Sequence, residues 1–482
     1  RFVFLHARLN LNGEGSQGNQ PFEIGSKIVL YNGELYNKSQ IIKQFKMPVG
    51  SSDTALLKYL LGFNTLAQIA EIINGMYAIS VYDRKTEKLE LTVDSYGQKP
   101  LFFRISDKYT IFGSQAVAVK ESTSALKKEQ LLTYLNFGFV SPEASIFSNV
   151  SRVQPGETLE IDTKAQTIVG RSIKRQSSIT WNDGRVMSDY FSEYTDTPFP
   201  MGVTLSGGID SSLVAHHYAN SYEGRKLAFT VQVGDPAFSE APQAKAFALK
   251  LGIEHKIIVI EDSEVSGYWK SGLASLDEPN SDSSIITTSA LMQGAKKHVK
   301  CLLSGDGGDE IFGGYNRHKL GYLFSVIQGN KPILELIKLS RYFPNILKGL
   351  IRLFIPSVTG GEYDQRIKAL IRALESKNIW DLYVRTLAID GLFVDLVMPH
   401  RPRALFEHFE ASNTSISMLD LDRYLYLVGN NLTRMDKISL GYGIECRSPL
   451  LDDRISPESL QSIRFKAKPK LMKLHSEIYG DS

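Results

Sequence analysis

Short apolar runs, broken by Asn, Gly and Asp, dominate the first third of the chain. Segments 27–37 (KIVLYNGELYN) and 75–94 (GMYAISVYDRKTEKLELTVD) show this pattern, and the polar break RKTE in the second is typical of a hairpin turn. The apolar run 2–5 favours a buried strand at the N-terminus. We therefore predict a strand-rich region over 1–165 and an irregular, polar linker over 166–190.

From Met201 the pattern changes to strands that alternate with single helices. Such alternation predicts a parallel sheet with helices on both faces, and sheets of this kind bind ligands beyond the carboxyl ends of their strands. After Tyr315 the pattern is mostly helical. The predicted strands are 201–205, 226–233, 255–260 and 299–304, and the predicted helices are 210–220, 238–251 and 284–297.

Composition narrows the function classes. The 482 residues carry a net charge of +3, so electrostatics gives no case for nucleic acid or an anionic membrane as the main partner. The longest apolar runs, such as 346–356, contain Lys and Arg and are too short to span a bilayer. Two cysteines are too few for a disulfide framework or a zinc site, which favours a reducing, cytoplasmic setting.

The stretch 204–213 (TLSGGIDSSL) is a candidate phosphate loop at the end of the first parallel strand. Its two glycines let backbone amides approach an anion, and the positive end of the next helix favours phosphate. A Walker loop is excluded because its lysine is absent, and a nucleophile elbow because Thr204 replaces its first glycine. A simple glycine-rich helix cap remains the alternative. The candidate residues are Ser206, Gly207, Gly208, Asp210, Ser211 and Ser212.

The stretch 302–319 (LLSGDGGDEIFGGYNRHK) is a candidate magnesium loop after another strand. Asp306, Asp309 and Glu310 are close in sequence, and like charges at short range favour a bound cation. Carboxylate oxygens suit Mg²⁺ that also bridges phosphate oxygens, whereas the spacing excludes an EF-hand. A solvated acidic turn is the alternative.

Several strings in this order resemble the glutamine-dependent asparagine synthetases. They are YNGELYN, SSDTALL, YGQKPLFF, LSGGIDSS, FSEAPQAKAFA, DEPNSDSS, LSGDGGDEIFGGY and MDKISLGYGIECRSPLLD. The resemblance implies a class II glutaminase with an N-terminal-nucleophile β-sandwich over 1–165. It also implies a doubly wound parallel-sheet ATP-pyrophosphatase domain with a helical C-terminal part over 191–482. The implied reaction activates aspartate with ATP and Mg²⁺ as β-aspartyl-AMP, which ammonia from glutamine then converts to asparagine.

The resemblance also assigns roles in the glutaminase half. Arg8 matches the residue that holds the glutamine carboxylate, and Asn32 with Gly33 matches the oxyanion hole. Glu34 and Asp53 match the residues that hold the glutamine amino group. The alternatives are a surface arginine for Arg8 and a hairpin turn for the Asn-Gly pair.

In the synthetase half, the resemblance makes the phosphate loop the holder of the leaving pyrophosphate. Asp210 and Asp309 match a Mg²⁺-binding pair, and Lys437 matches a basic residue that stabilises the charged phosphate in the adenylation transition state. Tyr315 and Asp306 are placed beside the reacting centre, although a buried structural tyrosine is the alternative for the former. Leu205, Val231, Ser304 and Gly305 match further nucleotide contacts, with core positions as the alternative for Leu205 and Val231.

Departures from the family pattern leave questions open. Asp306 stands where some of these enzymes carry Glu, which leaves the acceptor carboxylate open, so a relative that amidates another carboxylate is an alternative to asparagine synthesis. A non-catalytic scaffold that keeps the fold is a separate alternative. The N-terminal cysteine nucleophile of class II glutaminases is absent from the sequence. We expect a fragment that uses free ammonia, and we interpret Cys301 and Cys446 as buried or incidental thiols. The oligomeric state is open, with a homodimer as the candidate.

Overall fold

The computed structural model describes most of the chain. The described residues are 3–7, 18–48, 52–174, 185–234, 239–328, 376–389, 398–411, 416–455 and 468–479. They fall into two compact units, which are described separately. The first unit contains Arg1–Tyr134, Gly138–Gly307 and Leu425–Ser456, and the second contains Leu135–Phe137, Gly308–Tyr424 and Pro457–Ser482.

The N-terminal part of the first unit consists of two antiparallel sheets. A six-stranded sheet has the order β1-β2-β3-β4-β8-β9, and a three-stranded sheet has the order β6-β5-β7. The predicted hairpin is confirmed, because β3 and β4 pair antiparallel from Ala78 opposite Val93 to Asp83 opposite Lys88. The strands are β1 (Phe22–Ile24), β2 (Lys27–Leu35), β3 (Gly75–Asp83), β4 (Lys88–Val93), β5 (Phe102–Ile105), β6 (Thr110–Gly113), β7 (Ser151–Arg152), β8 (Glu157–Asp162) and β9 (Thr167–Ile173).

The six-stranded sheet is covered on both faces. Helices α1 (Lys38–Phe45), α2 (Asp53–Leu61) and α3 (Leu66–Ile72) contribute Ile41, Leu57 and neighbouring apolar residues to the core on one face. On the other face, Leu91 and its neighbours pack with Phe103 of the three-stranded sheet. A strand buried on both faces has no polar side, which explains why β3 is buried at all positions but its last.

Two expectations for this region are wrong. Strand β9 lies within the predicted linker 166–190, because polar residues at its exposed edge hide its pairing with β8. Residues 3–7 form no strand, since no described strand pairs with them, and the side chains of Val3 and Leu5 are exposed. The ring of Phe4 instead packs near Tyr82.

The second part of the first unit contains the predicted parallel sheet. Its strands are β10 (Met201–Thr204), β11 (Leu227–Val233), β12 (Glu254–Ile260), β13 (Cys301–Leu303) and β14 (Glu445–Arg447), in the order β12-β11-β10-β13-β14. All neighbouring strands run parallel. The chain moves outward from β10 to β12 and then returns to the other side of β10, so the strand order reverses between β10 and β13. Loops after these two strands therefore leave the sheet at its switch point.

The helices around this sheet largely match the prediction. They are α6 (Arg185–Thr195), α7 (Ile209–Ser221), α8 (Ala241–Lys250), α9 (Asp262–Ser275) and α10 (Ser284–Ala295). Two earlier helices are α4 (Ala116–Val119), which packs on β5 and β6 of the three-stranded sheet, and α5 (Lys128–Phe137). One correction is that two helices, α9 and α10, separate β12 from β13, rather than one. A second is that β14 is a strand in a region predicted to be helical.

The remaining described elements are helical. Helices α11 (Gly308–Phe312) and α12 (Asn316–Gln328) follow β13, and later helices span Ile379–Leu387, Arg403–Ala411, Met418–Leu421, Thr433–Gly441 and Pro469–Tyr479. A π-helix spans Asp422–Leu432, and a 3-10 turn spans Pro449–Leu451. Across the described residues, no helix has the length and apolar character needed to cross a bilayer.

Candidate active site

The predicted phosphate loop connects β10 to α7. Gly208 is the N-cap of α7, so no capping side chain covers the first turn of this helix. Ser206 stabilises the loop, because its N–H donates to Ser211 Oγ (3.1 Å) and its Oγ accepts from the N–H of Gly208 (3.2 Å). The loop thus has the backbone form of an anion-binding turn before a helix N-terminus. Ser212 lies one residue further on and is buried in α7.

Gly207 is required by the geometry of this loop. Its φ of +82° lies in the left-handed region. A Cβ at this position would lie 3.0 Å from Gln243 Cβ and 3.3 Å from the backbone nitrogen of Ala244. The loop is therefore held closely against the start of α8.

The loop after β13 touches the phosphate loop directly. A Cβ on Gly305 would lie 3.0 Å from the backbone nitrogen of Ser211 and 3.1 Å from Asp210 Cβ. Ser304, which precedes it, is buried and donates its N–H to the carbonyl of Arg447 (2.9 Å). The structure thus brings together Ser304–Gly305 and Asp210–Ser211, as expected for loops that leave adjacent strands at a switch point.

Asp306 is positioned by the same loop. Its Oδ2 accepts a hydrogen bond from Ser304 Oγ (2.9 Å). Burial raises the pKa of Asp306, while this hydrogen bond and the charge of Arg434 oppose the rise. Arg434 itself pairs with Asp282 (2.8 Å), so a charged network lies near the carboxylate.

The predicted nucleotide contacts Leu205 and Val231 lie on or beside the sheet. Leu205 is buried, and its N–H donates to the carbonyl of Phe229 (2.9 Å). Val231 is half-buried and packs against the apolar core around Phe229 and Leu302. Their contact with adenine or ribose stays a prediction.

Lys437 is buried within the first unit. Its Nζ donates to the carbonyl of Ser114 (2.6 Å) and lies 3.3 Å from Asp277 Oδ1. Asp277 also accepts the N–H of Ala116. The predicted catalytic lysine therefore has two partners, Asp277 and Ser114, that sequence reasoning did not identify.

Asp309, Glu310 and Tyr315 belong to the second unit. Asp309 Oδ1 lies 2.9 Å from Lys468 Nζ, and the hydroxyl of Tyr315 donates to Glu310 Oε1 (2.8 Å). A Cβ on Gly314 would lie 1.6 Å from Asp309 Oδ1, so a glycine is required beside this carboxylate. Tyr315 thus has a structural partner in Glu310.

The described residues include no cluster of three or more His, Cys, Asp and Glu side chains suited to a metal ion. Mg²⁺ in nucleotide enzymes takes only one or two carboxylates and uses phosphate oxygens and waters for its other positions. The donor chemistry of Asp210 and Asp309 fits that requirement. Because the two residues belong to different units, their pairing stays a prediction.

Glu310 is expected to make stability depend on pH. Burial, with the charges of Asp309 and Asp422, raises the pKa of Glu310 to about 8. The folded protein therefore keeps a proton that the unfolded chain has lost, so the free energy of unfolding falls as pH rises from about 5 to about 8. In Glu310→Gln this fall should be smaller by up to about 1.4 kcal/mol per pH unit. Urea unfolding across that pH range tests this, and parallel curves for the two proteins would contradict it.

A cavity of about 380 Å³ lies at the predicted glutamine site. Four of the five residues predicted to bind glutamine line it, namely Asn32, Gly33, Glu34 and Asp53. Residues from the synthetase half, Leu440 and Glu445, also line it, with Lys99 and Ser114. Arg8, the fifth predicted residue, lies outside the described residues.

The Asn-Gly pair is not a hairpin turn. Asn32 and Gly33 lie inside β2 and pair with Ala78 and Tyr77 of β3. A Cβ on Gly33 would lie 2.0 Å from the carbonyl oxygen of Met76, and its φ is +147°. The glycine therefore allows a close approach of two strands beside the cavity, and the alternative interpretation as a turn is wrong.

Glu34 and Asp53 are buried carboxyl groups that lie beside basic side chains. Lys38 Nζ lies 2.9 Å from Glu34 and 3.5 Å from Asp53, and Arg447 lies 3.5 Å from Glu34. Burial and the charge of Asp53 raise the pKa of Glu34 to about 8, against the opposing charges of Arg447 and Lys38. Asp53 also accepts from the hydroxyl of Tyr31 (3.0 Å).

Sequence reasoning missed Lys38, Glu445 and Arg447. Lys38 stands four residues after Glu34, but that spacing indicates a pair only within a helix, and Glu34 lies in strand β2. Glu445 and Arg447 lie in the quoted string GIECRSPLLD, but nothing local in it indicates a partner in β2.

The two thiols behave as expected. Cys301 is buried, and burial raises its pKa to about 12. Burial also raises the pKa of Cys446. Neither thiol is poised to form a reactive thiolate.

Comparison with known families agrees with the two-part architecture. A family model described as asparagine synthase matches residues 190–468, more than half of the chain. A second, described as a glutamine amidotransferase domain, matches residues 1–171.

Relatives of known name resemble almost the whole chain. "Asparagine synthetase [glutamine-hydrolyzing] 1" of Bacillus subtilis is 25% identical over 90% of this chain and 70% of its own length. "Putative asparagine synthetase [glutamine-hydrolyzing]" of Mycobacterium bovis is 24% identical over 89% of this chain and 68% of its own length. A solved glutamine-dependent NAD+ synthetase from Acinetobacter baumannii is 16% identical, covers 62% of this chain and 63% of its own, and has a TM-score of 0.22, too low to support an inference.

Proposed function

The chain belongs to the asparagine synthase family, and we propose that it is an ATP-dependent ligase that converts aspartate to asparagine. The proposed reaction passes through β-aspartyl-AMP, takes ammonia from glutamine, and releases AMP and pyrophosphate. The substrates are small molecules, and the proposed setting is the cytoplasm.

One observation supports the synthetase reaction most strongly. The loops after β10 and β13 meet at the switch point of the parallel sheet, where Gly305 packs against Asp210 and Ser211. Because glycines carry no side chain, backbone N–H groups in these loops can come close to a polyphosphate at the positive N-terminal end of α7. In this proposal, Ser206 to Ser212 hold the leaving pyrophosphate, and Ser304 and Gly305 contact the nucleotide.

Adenylation then depends on charge placed near the phosphate. We assign to Lys437 the stabilisation of negative charge that develops on the α-phosphate. The buried carboxylate of Asp277 lies 3.3 Å from the Lys437 ammonium and holds it in position. Mg²⁺, when bound by Asp210 and Asp309, would neutralise phosphate charge, and Asp306 and Tyr315 are assigned to the acceptor side of the reaction.

The cavity supports the glutamine half of the proposal. Asn32 and the N–H of Gly33 would stabilise an oxyanion. Glu34 and Asp53, which pair with Lys38, would also accept hydrogen bonds from a ligand ammonium. Residues from both halves line the cavity, including Asn32 and Leu440. Glutamine bound there would lie beside residues of the synthetase half.

An acceptor screen tests the proposal. The protein is incubated with ATP, Mg²⁺, ammonia and a panel of carboxylic acids, and pyrophosphate release is measured. We expect release with aspartate. Release only with another acid would identify a related amidotransferase, and no release with any acid would indicate a scaffold that keeps the fold.

A further inference from the structure

Arg447 contacts both predicted ligand sites of the first unit. Its carbonyl, at the end of β14, accepts the N–H of Ser304 (2.9 Å), a predicted nucleotide residue. Its guanidinium lies 3.5 Å from Glu34 on β2, a predicted glutamine residue. The main chain of Arg447 thus contacts the predicted nucleotide site, and its side chain contacts the predicted glutamine site.

The guanidinium is firmly held between these contacts. Arg447 is 0% exposed, Nε donates to Glu445 Oε1 (2.8 Å), and Nη1 donates to the carbonyl of Tyr194 (2.9 Å). The ring of Tyr194 stacks on Tyr36, one residue beyond β2, at a centroid distance of 3.8 Å. Because the guanidinium is planar, fully buried and hydrogen-bonded in fixed directions, a displacement of one of its partners would also displace the others.

The Glu34 end of this connection faces the cavity. Glu34 and Glu445 both line it, and both carboxylates pair with Arg447. A ligand ammonium in the cavity would compete with Arg447 and Lys38 for Glu34. Its arrival therefore changes the forces on the guanidinium.

The Ser304 end faces the nucleotide loop. Leu303 pairs with Arg447 across the parallel strands β13 and β14. The Oγ of Ser304 donates a hydrogen bond to Asp306 and lies 3.2 Å from the Oγ of Ser448. A shift of Arg447 along β14 would therefore move Ser304 and the carboxylate that Ser304 orients.

We propose that Arg447 is a positioning residue that couples ligand occupancy of the glutamine cavity to the nucleotide loop after β13. The inference rests on the proposed function. Since coupling between two binding sites is reciprocal, a nucleotide should change glutamine affinity by the same factor as glutamine changes nucleotide affinity.

Equilibrium dialysis with radiolabelled glutamine measures this coupling in the 482-residue chain. The glutamine Kd is determined with and without saturating Mg²⁺ and α,β-methylene ATP, whose α–β bridge cannot be cleaved. We expect at least about a fivefold change in the wild-type protein. In Arg447→Lys the ratio of the glutamine Kd values measured with and without nucleotide should approach one, because Lys lacks the fork that reaches several acceptors. The affinity for nucleotide alone should change by less than about threefold.

Arg454→Lys is the matched control. Arg454 also pairs with two carboxylates, Glu193 and Asp452, but it contacts neither Glu34 nor Ser304. This variant should keep the wild-type ratio. If Arg447→Lys does not fold, Glu445→Gln, which weakens the hold on the Arg447 Nε, is measured instead and should also lower the ratio.

The outcomes separate this inference from the proposed function. Binding of both ligands without coupling in the wild-type protein overturns the inference alone, as does a ratio that Arg447→Lys and Glu445→Gln leave unchanged. Equal losses in Arg447→Lys and Arg454→Lys also overturn it, because they would show a general structural effect. A wild-type protein that binds no nucleotide overturns both proposals.

Discussion

Lys437→Met is expected to slow pyrophosphate release with aspartate by about 100-fold to 1,000-fold at saturating ATP. In the proposed reaction the ammonium stabilises charge that appears on the phosphate only in the transition state, so its loss lowers kcat more than ATP affinity. Methionine keeps a similar length and an apolar body but carries no charge. Steady-state kinetics together with an ATP titration by calorimetry would separate kcat from binding.

Controls separate this catalytic role from a structural one. Lys437→Met leaves the buried Asp277 without its cation, which on its own costs about 3–5 kcal/mol of stability. The double variant Lys437→Met with Asp277→Asn removes that unpaired charge and should regain stability without regaining rate. Lys174→Met, which breaks the ion pair with Asp453, should lose stability but keep its rate. Recovery of the rate in the double variant would mean that Lys437 acts through the fold alone.

Local sequence patterns predicted the elements whose signal lies within their own residues. Strand β10 and the loop that follows it were predicted because an apolar run ends at two glycines and a helix start. The contact between Gly305 and Ser211 follows from topology, because the loops after β10 and β13 leave the sheet where the strand order reverses.

Elements that depend on distant partners were missed. Strand β14 has the sequence ECR, and two of its three residues are charged. It is a strand because its backbone pairs in parallel with Cys301–Leu303 of β13, which lies far away in the sequence. The charge of Arg447 is met by Glu34 of β2 and by Glu445. Lys437 likewise meets Ser114, 323 positions earlier in the chain. Val3, Phe4 and Leu5 show the converse, since no strand among the described residues pairs with them, and hydrophobicity alone does not make a strand.

Gly207→Val is expected to weaken ATP binding by at least about 100-fold, equivalent to about 2.7 kcal/mol. The backbone at Gly207 has a φ of +82°, which a β-branched residue strongly disfavours. The new Cβ would also press against Gln243 and Ala244 at 3.0 and 3.3 Å. Because α8 holds this side of the loop, the strain would be relieved by moving the amides that we assign to pyrophosphate.

Gly252→Val provides the matched comparison for this substitution. Gly252 has a similar φ of +66°, but a Cβ there meets no atom within 4 Å, and the residue lies before β12, outside both loops. Each variant should therefore lose about 1–3 kcal/mol of stability from backbone strain. Only Gly207→Val should lose ATP affinity when both are titrated below their unfolding temperatures. Equal affinities in the two variants would show that residues 204–213 cap a helix without holding a phosphate, because the same strain would then have no consequence for the nucleotide.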